Sequence, residues 1–283
     1  MSTRIKTVEL FLAFSFAAVG TQIPAAASSD EIVDAPGADY LLLAQGAEGG
    51  EGGEGGEGGE GGEGGEGGEG AVSPGDSEVD YMTVLGLMKG HLIAAQELIA
   101  AGDYEQAEPH IGHPVEELYS EIEPVLAEKG VEDFKPTLVQ LQDLAKSAPD
   151  SPEMDALFDQ SLASINEAIA AVPQDQRNSP DFVIDVMVEV LKNAATEYEA
   201  AIANGQFVEV VEYQDSRGFV LYADDLYQTV AEQKSQSDPE AHQTITQSLE
   251  ELKTAWPTIE PPATPVKEPS EVYGLVSQIE FSK

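Results

Sequence analysis

The chain has no cysteine, four histidines, one tryptophan and 13 basic residues among 283. Each shortage excludes something. Without cysteine there are no disulfides, no thiol catalysis, no thiolate metal site and no lipid anchor on an N-terminal cysteine. The 13 lysines and arginines stand against 53 acids, a formal charge of −40. Such a surface repels nucleic acid and anionic lipid, attracts cations both small and macromolecular, and favours solubility. Beyond the N-terminus no segment reads as the 18 or more apolar residues of a membrane helix. Enzyme signatures are missing too. There is no His-Glu-x-x-His, no Gly-x-Ser-x-Gly, no phosphate-binding loop and no dinucleotide fingerprint, so no catalytic activity is expected.

The N-terminus reads as an export signal over residues 1–27. Arg4 and Lys6 precede an apolar run from Leu10 to Gly20, too short to span a bilayer, and Pro24-Ala25-Ala26-Ala27 offers a small-residue cleavage site. The expected mature chain is periplasmic or secreted, with no membrane span. Residues 28–76 form an acidic linker. Its core, 48–70, is a strict Glu-Gly-Gly repeat that has nothing to bury, so disorder is expected. As a flexible coil it reaches roughly 25 Å. It serves as a spacer or as a weak collector of cations.

After Pro74-Gly75 the texture becomes helical. Ser77 reads as an N-cap, and Val84, Leu87, Met88, His91, Ala95, Leu98 and Ile99 form a 3.6-residue stripe that ends at Gly102-Asp103. Further helices are expected from Tyr104 to about Glu128 and from Val131 to Ser147. Ser151-Pro152, Ser179-Pro180 and Asp238-Pro239 each place a cap before a proline, opening helices near 152–171, 180–203 and 239–255. Another, about 207–233, follows Asn204-Gly205. No β alternation is long enough for a sheet. The expected fold is all-α, an up-and-down bundle of about six to seven helices over residues 77–256. Residues 257–283 add a Pro-rich linker and a short amphipathic helix on Val272, Leu275, Val276 and Ile279, expected to fold back onto the bundle.

Gly102, Tyr104 and Tyr119 are echoed by Gly205, Phe207 and Tyr222 at an offset of 103 residues. The echo suggests two pseudo-repeated helical hairpins with 131–172 inserted between them. It sets the polar segment Glu212–Arg217 opposite the turn that carries His110 and His113.

That turn is the leading candidate site. On a regular helix His110, His113 and Glu117 share a face, with Glu116 beside them. Neutral imidazoles with a carboxylate suit zinc, iron, copper or nickel. His91, on the preceding helix, lies about level with His110 across the Gly102 turn. Glu212 and Asp215, three residues apart, offer carboxylates from the second hairpin. The competing readings are structural: Pro114 restarts the helix with His113 as its cap, His91 is a hydrogen-bonded core residue, and Asp215 or Glu212 pairs with Arg217. Met82 and Met88 offer thioethers, or simply core filling. His242 reads as a surface residue.

Ala101-Gly102-Asp103-Tyr104-Glu105-Gln106-Ala107 is similar to the turn of a tetratricopeptide repeat, which implies no more than a helical hairpin. More broadly, an exported acidic helical chain with the His-x-x-Glu element Gly112-His113-Pro114-Val115-Glu116 resembles the imelysin-like proteins. Their motif, Gly-x-His-x-x-Glu, sets one residue between glycine and histidine, whereas here the two are adjacent. The resemblance implies metal handling, with His113 and Glu116 as ligands.

The expected function is therefore binding of a transition metal, iron foremost, for capture or delivery without catalysis. The ligands are expected among His91, His110, His113, Glu116, Glu117, Glu212 and Asp215. The alternative is an envelope scaffold that presents an acidic surface and the 271–282 helix to a basic protein partner.

Overall fold

The computed structural model describes residues 78–283; the expected export signal, the Glu-Gly-Gly repeat and the expected Ser77 cap lie outside the described residues. Among the described residues the fold is helical, as the periodicity implies, with one two-residue β ribbon.

The first helix, α1 (Glu78–Ala101), is buried on nearly every side, not on a single stripe. A helix that is apolar all round belongs at the centre of a bundle, and α1 is packed by α2 (Tyr104–His113), α5 (Met154–Ala170), α7 (Pro180–Ala200) and α8 (Val210–Gln228). By length and hydropathy α1 also passes the test for a membrane helix, which corrects the expectation that no later segment would. Its burial within the bundle accounts for that composition.

Gly86 and Gly90 sit inside α1, where glycine ordinarily weakens a helix. Their reason is α8. A methyl group at Gly218 of α8 would collide with the Gly90 carbonyl, and one at Gly90 with the Phe219 ring. Glycine on both sides lets the two backbones touch at this level.

The sequence expects one helix from Tyr104 to Glu128. The chain instead runs as α2, a π-helical turn at Pro114–Leu118, and α3 (Tyr119–Lys129), closed by the left-handed Gly130. Pro114 cannot donate to the His110 carbonyl, and its ring crowds an α-helix there. The wider turn accommodates it without breaking the rod. The helix does not restart at Pro114, and His113 makes no capping hydrogen bond.

The turns Gly102 (φ 82°) and Gly205 (φ 73°) are both left-handed and 103 residues apart, matching the echo. Each joins two helices that pack on each other, α1 with α2 and α7 with α8. The second connection carries the ribbon β1 (Ile202–Ala203) and β2 (Gln206–Phe207), turned at Asn204-Gly205. Between the hairpins lie α4 (Lys135–Ser147), α5 and the short α6 (Gln174–Arg177).

The expected 207–233 helix splits into α8 and α9 (Ala231–Ser237), and α10 (Pro239–Lys253) starts where Asp238 accepts a hydrogen bond from the Ala241 amide. The tail folds back. Helix α11 (Pro269–Phe281) packs on α7 and α10 and buries Val272, Val276 and Ile279. The apolar face that a scaffold would present is thereby used internally.

Candidate metal centre

The glycine crossing of α1 and α8 sets the site. His91 follows Gly90, and Asp215 lies one turn before Gly218. Backbone contact here brings His91 Nδ1 to 2.5 Å from Asp215 Oδ1. From α2, His110 Nδ1 reaches the same oxygen at 2.6 Å. His113 Nδ1 lies 3.2 Å from Asp215 Oδ2, close but without hydrogen-bond alignment. One donor atom from each of these four residues falls within 4.8 Å of all the others. The rings meet edge to face, His91 and His113 with centroids 4.9 Å apart. Phe219 closes the far side of His91.

His91 and His110 are fully buried and Asp215 nearly so; His113, at 12% exposure, marks the side open to solvent. Burial pushes the Asp215 carboxyl up, but the surrounding imidazoles outweigh it and hold the group well below the usual carboxylate range. For His113 burial lowers the pKa, the Asp215 carboxylate more than restores it, and the net shift is upward.

A chain of amides fixes which His110 nitrogen is protonated. Gln106 Nε2 donates to Asp103 Oδ2 at 2.6 Å and to Glu260 Oε1 at 3.0 Å. Ionised carboxylates only accept, so this amide has one orientation. Its oxygen accepts from Gln214 Nε2 at 2.6 Å, and Gln214 Oε1 in turn faces His110 Nε2 at 2.8 Å. His110 therefore donates from Nε2, and Nδ1 is the nitrogen turned to the cluster. A second residue pair clears the site of competition. Arg217 does not pair with Asp215 or Glu212; it grips Glu97 with Nε at 2.7 Å and Nη2 at 3.0 Å.

The remaining sequence candidates fall outside. Glu116 is 56% exposed, lies 3.6 Å from Lys146 Nζ and accepts from Gln142 of α4. Glu117 acts on His113 through its charge, and Glu212 lies half-buried one turn earlier on α8. None of the three joins the gathered donors. The physical reason for Glu116 and Glu117 is the π turn. Both lie within it, where i→i+5 bonding turns the chain by less than the ~100° per residue of a regular helix, so the expected common face with His110 and His113 is lost. Met82 and Met88 are core residues. His242 is not a plain surface residue: its Nδ1 hydrogen-bonds Tyr227 at 2.8 Å. Gln106 and Gln214, which the sequence did not single out, belong to the site.

Three imidazole nitrogens and one carboxylate oxygen, gathered from three helices and largely dry, form a donor set suited to a first-row transition metal. Ligands at ~2.0–2.1 Å from a tetrahedral ion are about 3.3 Å apart. Asp215 Oδ1 and its two nearest imidazole nitrogens are closer than that, while the whole set falls within 4.8 Å, so coordination requires the carboxylate to back off and the more distant donors to draw in.

Fold and site thus define an all-α bundle with a buried imidazole–carboxylate cluster. Residues 173–282, less than half of the chain, match the family model of the iron permease-associated 4-helix bundle domain. The matched stretch takes in α6 to α11 and includes Asp215, while the three clustered histidines precede it. No curated protein and no solved structure matches the chain.

Proposed function

We propose that this chain is an exported helical bundle that binds one transition-metal ion, iron foremost, to capture or deliver it without catalysis. The observation that carries the reading is the convergence of His91, His110, His113 and Asp215. Three of the chain's four histidines, from two helices, meet a single buried carboxylate. The likeness of residues 173–282 to an iron permease-associated domain supports iron over the copper or zinc that the same donors accept. His91, His110 and His113 would bind through Nδ1, and Asp215 would supply the negative charge. The ion adds charge neutralisation at the bundle centre. His113, the most exposed of the four, supports ion exchange on its side.

The test is elemental analysis of purified protein after loading with iron, copper and zinc in turn, beside a His110→Ala/His113→Ala variant. About one equivalent of iron is expected in the parent and none in the variant. Absence of stoichiometric metal from the parent under all three loadings overturns the reading. Retention by the variant moves the site elsewhere. Preference for zinc or copper over iron overturns the choice of metal alone.

A further inference from the structure

A second feature lies on the other side of α1. Eleven lysines and arginines fall within residues 78–283. Eight of them sit within ion-pair distance of a carboxylate. In a region with 39 acids, that is what mutual attraction produces. The three left are Lys89, Lys135 and Arg177, and two of these, Lys89 and Arg177, line one groove.

The groove has a volume of about 500 Å³ and runs between α1, α5, α7 and α8. Its walls are mostly apolar, with Leu92, Ile169, Phe182 and Leu226 among them. Lys89 is half-buried; its Nζ donates to Asn166 Oδ1 at 3.0 Å and lies 5.5 Å from the Tyr222 ring centroid. An ammonium has three donors, and Asn166 uses one. Arg177 is tethered by its Nε, which donates to the Val172 carbonyl at 2.8 Å. That bond orients the guanidinium and leaves its Nη groups without a partner among the described residues. Asp225 is the one acid on the lining; its charge reaches Lys89, but among the described residues neither cation has a carboxylate within ion-pair distance. Burial lowers the Lys89 pKa, partly offset by Asp225, so the ammonium is short of compensation.

We propose that this groove binds a small organic acid: a single carboxylate held by Lys89 and Arg177, on an apolar body that fills the cleft. The volume lies within the ~300–1,000 Å³ usual for small-molecule sites, which are mostly apolar with few polar anchors. Inorganic anions lack the apolar body. Nucleotides carry too much charge for a surface this acidic.

Calorimetric titration of the full chain with decanoate, and separately with decanol, below their aggregation limits tests the assignment. Decanoate binds with a stoichiometry of one, and decanol at least about tenfold more weakly, the worth of one charge-assisted hydrogen bond. Lys89→Met and Arg177→Met each weaken decanoate about tenfold and leave decanol unchanged. The His110→Ala/His113→Ala variant binds decanoate as the parent does, which separates this site from the metal centre. Equal affinity for decanoate and decanol overturns the proposal, as does decanoate binding that survives both Met substitutions, or no saturable binding at all. If a Met variant fails to fold, the decanoate–decanol comparison on the parent decides alone.

Discussion

At the scale of the residue, Asp215 is the hinge of the site. One buried carboxylate faces three imidazoles, and two of them approach the same oxygen. Breaking a buried charge pair by removing one member leaves the other uncompensated, at a cost of several kcal/mol. Asp215→Asn should therefore destabilise the metal-free protein by about 3 kcal/mol, read as a lower urea midpoint at unchanged slope. A midpoint equal to the parent's would show that the imidazoles do not depend on this charge. Gln214 tests the amide chain. Outer groups that orient ligating histidines are worth roughly 10–100-fold in metal affinity. Gln214→Leu should weaken iron binding by that factor and move the ¹⁵N shift of His110 Nε2 away from a fixed N–H donor. Unchanged affinity and shift would reduce the chain of amides to packing.

Histidine spacing and the scarcity of histidine made His91, His110 and His113 legible in the sequence, and the 103-residue echo reached Asp215. Gln106 and Gln214 were not legible. Amides occur on any helix surface, and only the contact with Asp103 and Glu260 gives theirs a direction. Glu116 and Glu117 misled for a local reason, because face arithmetic assumes 3.6 residues per turn and Pro114 alters it.

At the scale of the element, the α1–α8 crossing does the positioning. Gly90 and Gly218 permit backbone contact that no side chain would allow. Adding a methyl group to such a contact overpacks it, typically at 1–3 kcal/mol. Gly218→Ala should cost about 2 kcal/mol and also weaken metal binding, since it pushes His91 away from Asp215. Loss of stability with full metal affinity would mean the helices separate without carrying the ligands. The bend between α3 and α4 offers a pH test. Tyr119 donates to Asp133 Oδ1 at 2.6 Å, and its hydroxyl accepts from the Phe134 amide. The Tyr119 bond, then the Lys135 amide, holds the Asp133 carboxyl below its ordinary value. A group with a depressed folded pKa stabilises above its unfolded value and loses that contribution as pH falls through the folded one. Tyr119→Phe should therefore lower stability at neutral pH, and the gap to the parent should narrow as pH falls from about 5 towards 3. A gap independent of pH would assign the effect to the lost packing and the Phe134 bond. Pro180 and Pro239, which open α7 and α10, and the glycine stops were readable because they are local chemistry, and the apolar spacing of α11 marked its fold-back; Pro152 does not open a helix, since α5 starts at Met154 after Glu153. The π turn was not, because whether a proline breaks or widens a helix depends on what the helix packs against.

At the scale of the whole molecule, charge is the governing quantity. From residue 77 onward 39 acids stand against 11 bases, a net of −28, and most of those bases are already paired. Like charges on a folded surface repel more than in the expanded chain, and salt screens them over a Debye length of ≈ 10 Å at 0.1 M. The metal-free protein should melt at a higher temperature in 0.15 M than in 0.01 M sodium chloride, the reverse of a protein stabilised by surface ion pairs. Iron adds a separate contribution through specific binding, about 2.7 kcal/mol at a free concentration 100 times its dissociation constant. The two effects can be told apart by the cluster. In the His110→Ala/His113→Ala variant the response to sodium chloride should persist while the response to micromolar iron disappears. If micromolar iron stabilises both proteins equally, the acidic surface is binding the ion, and the buried cluster is not its site.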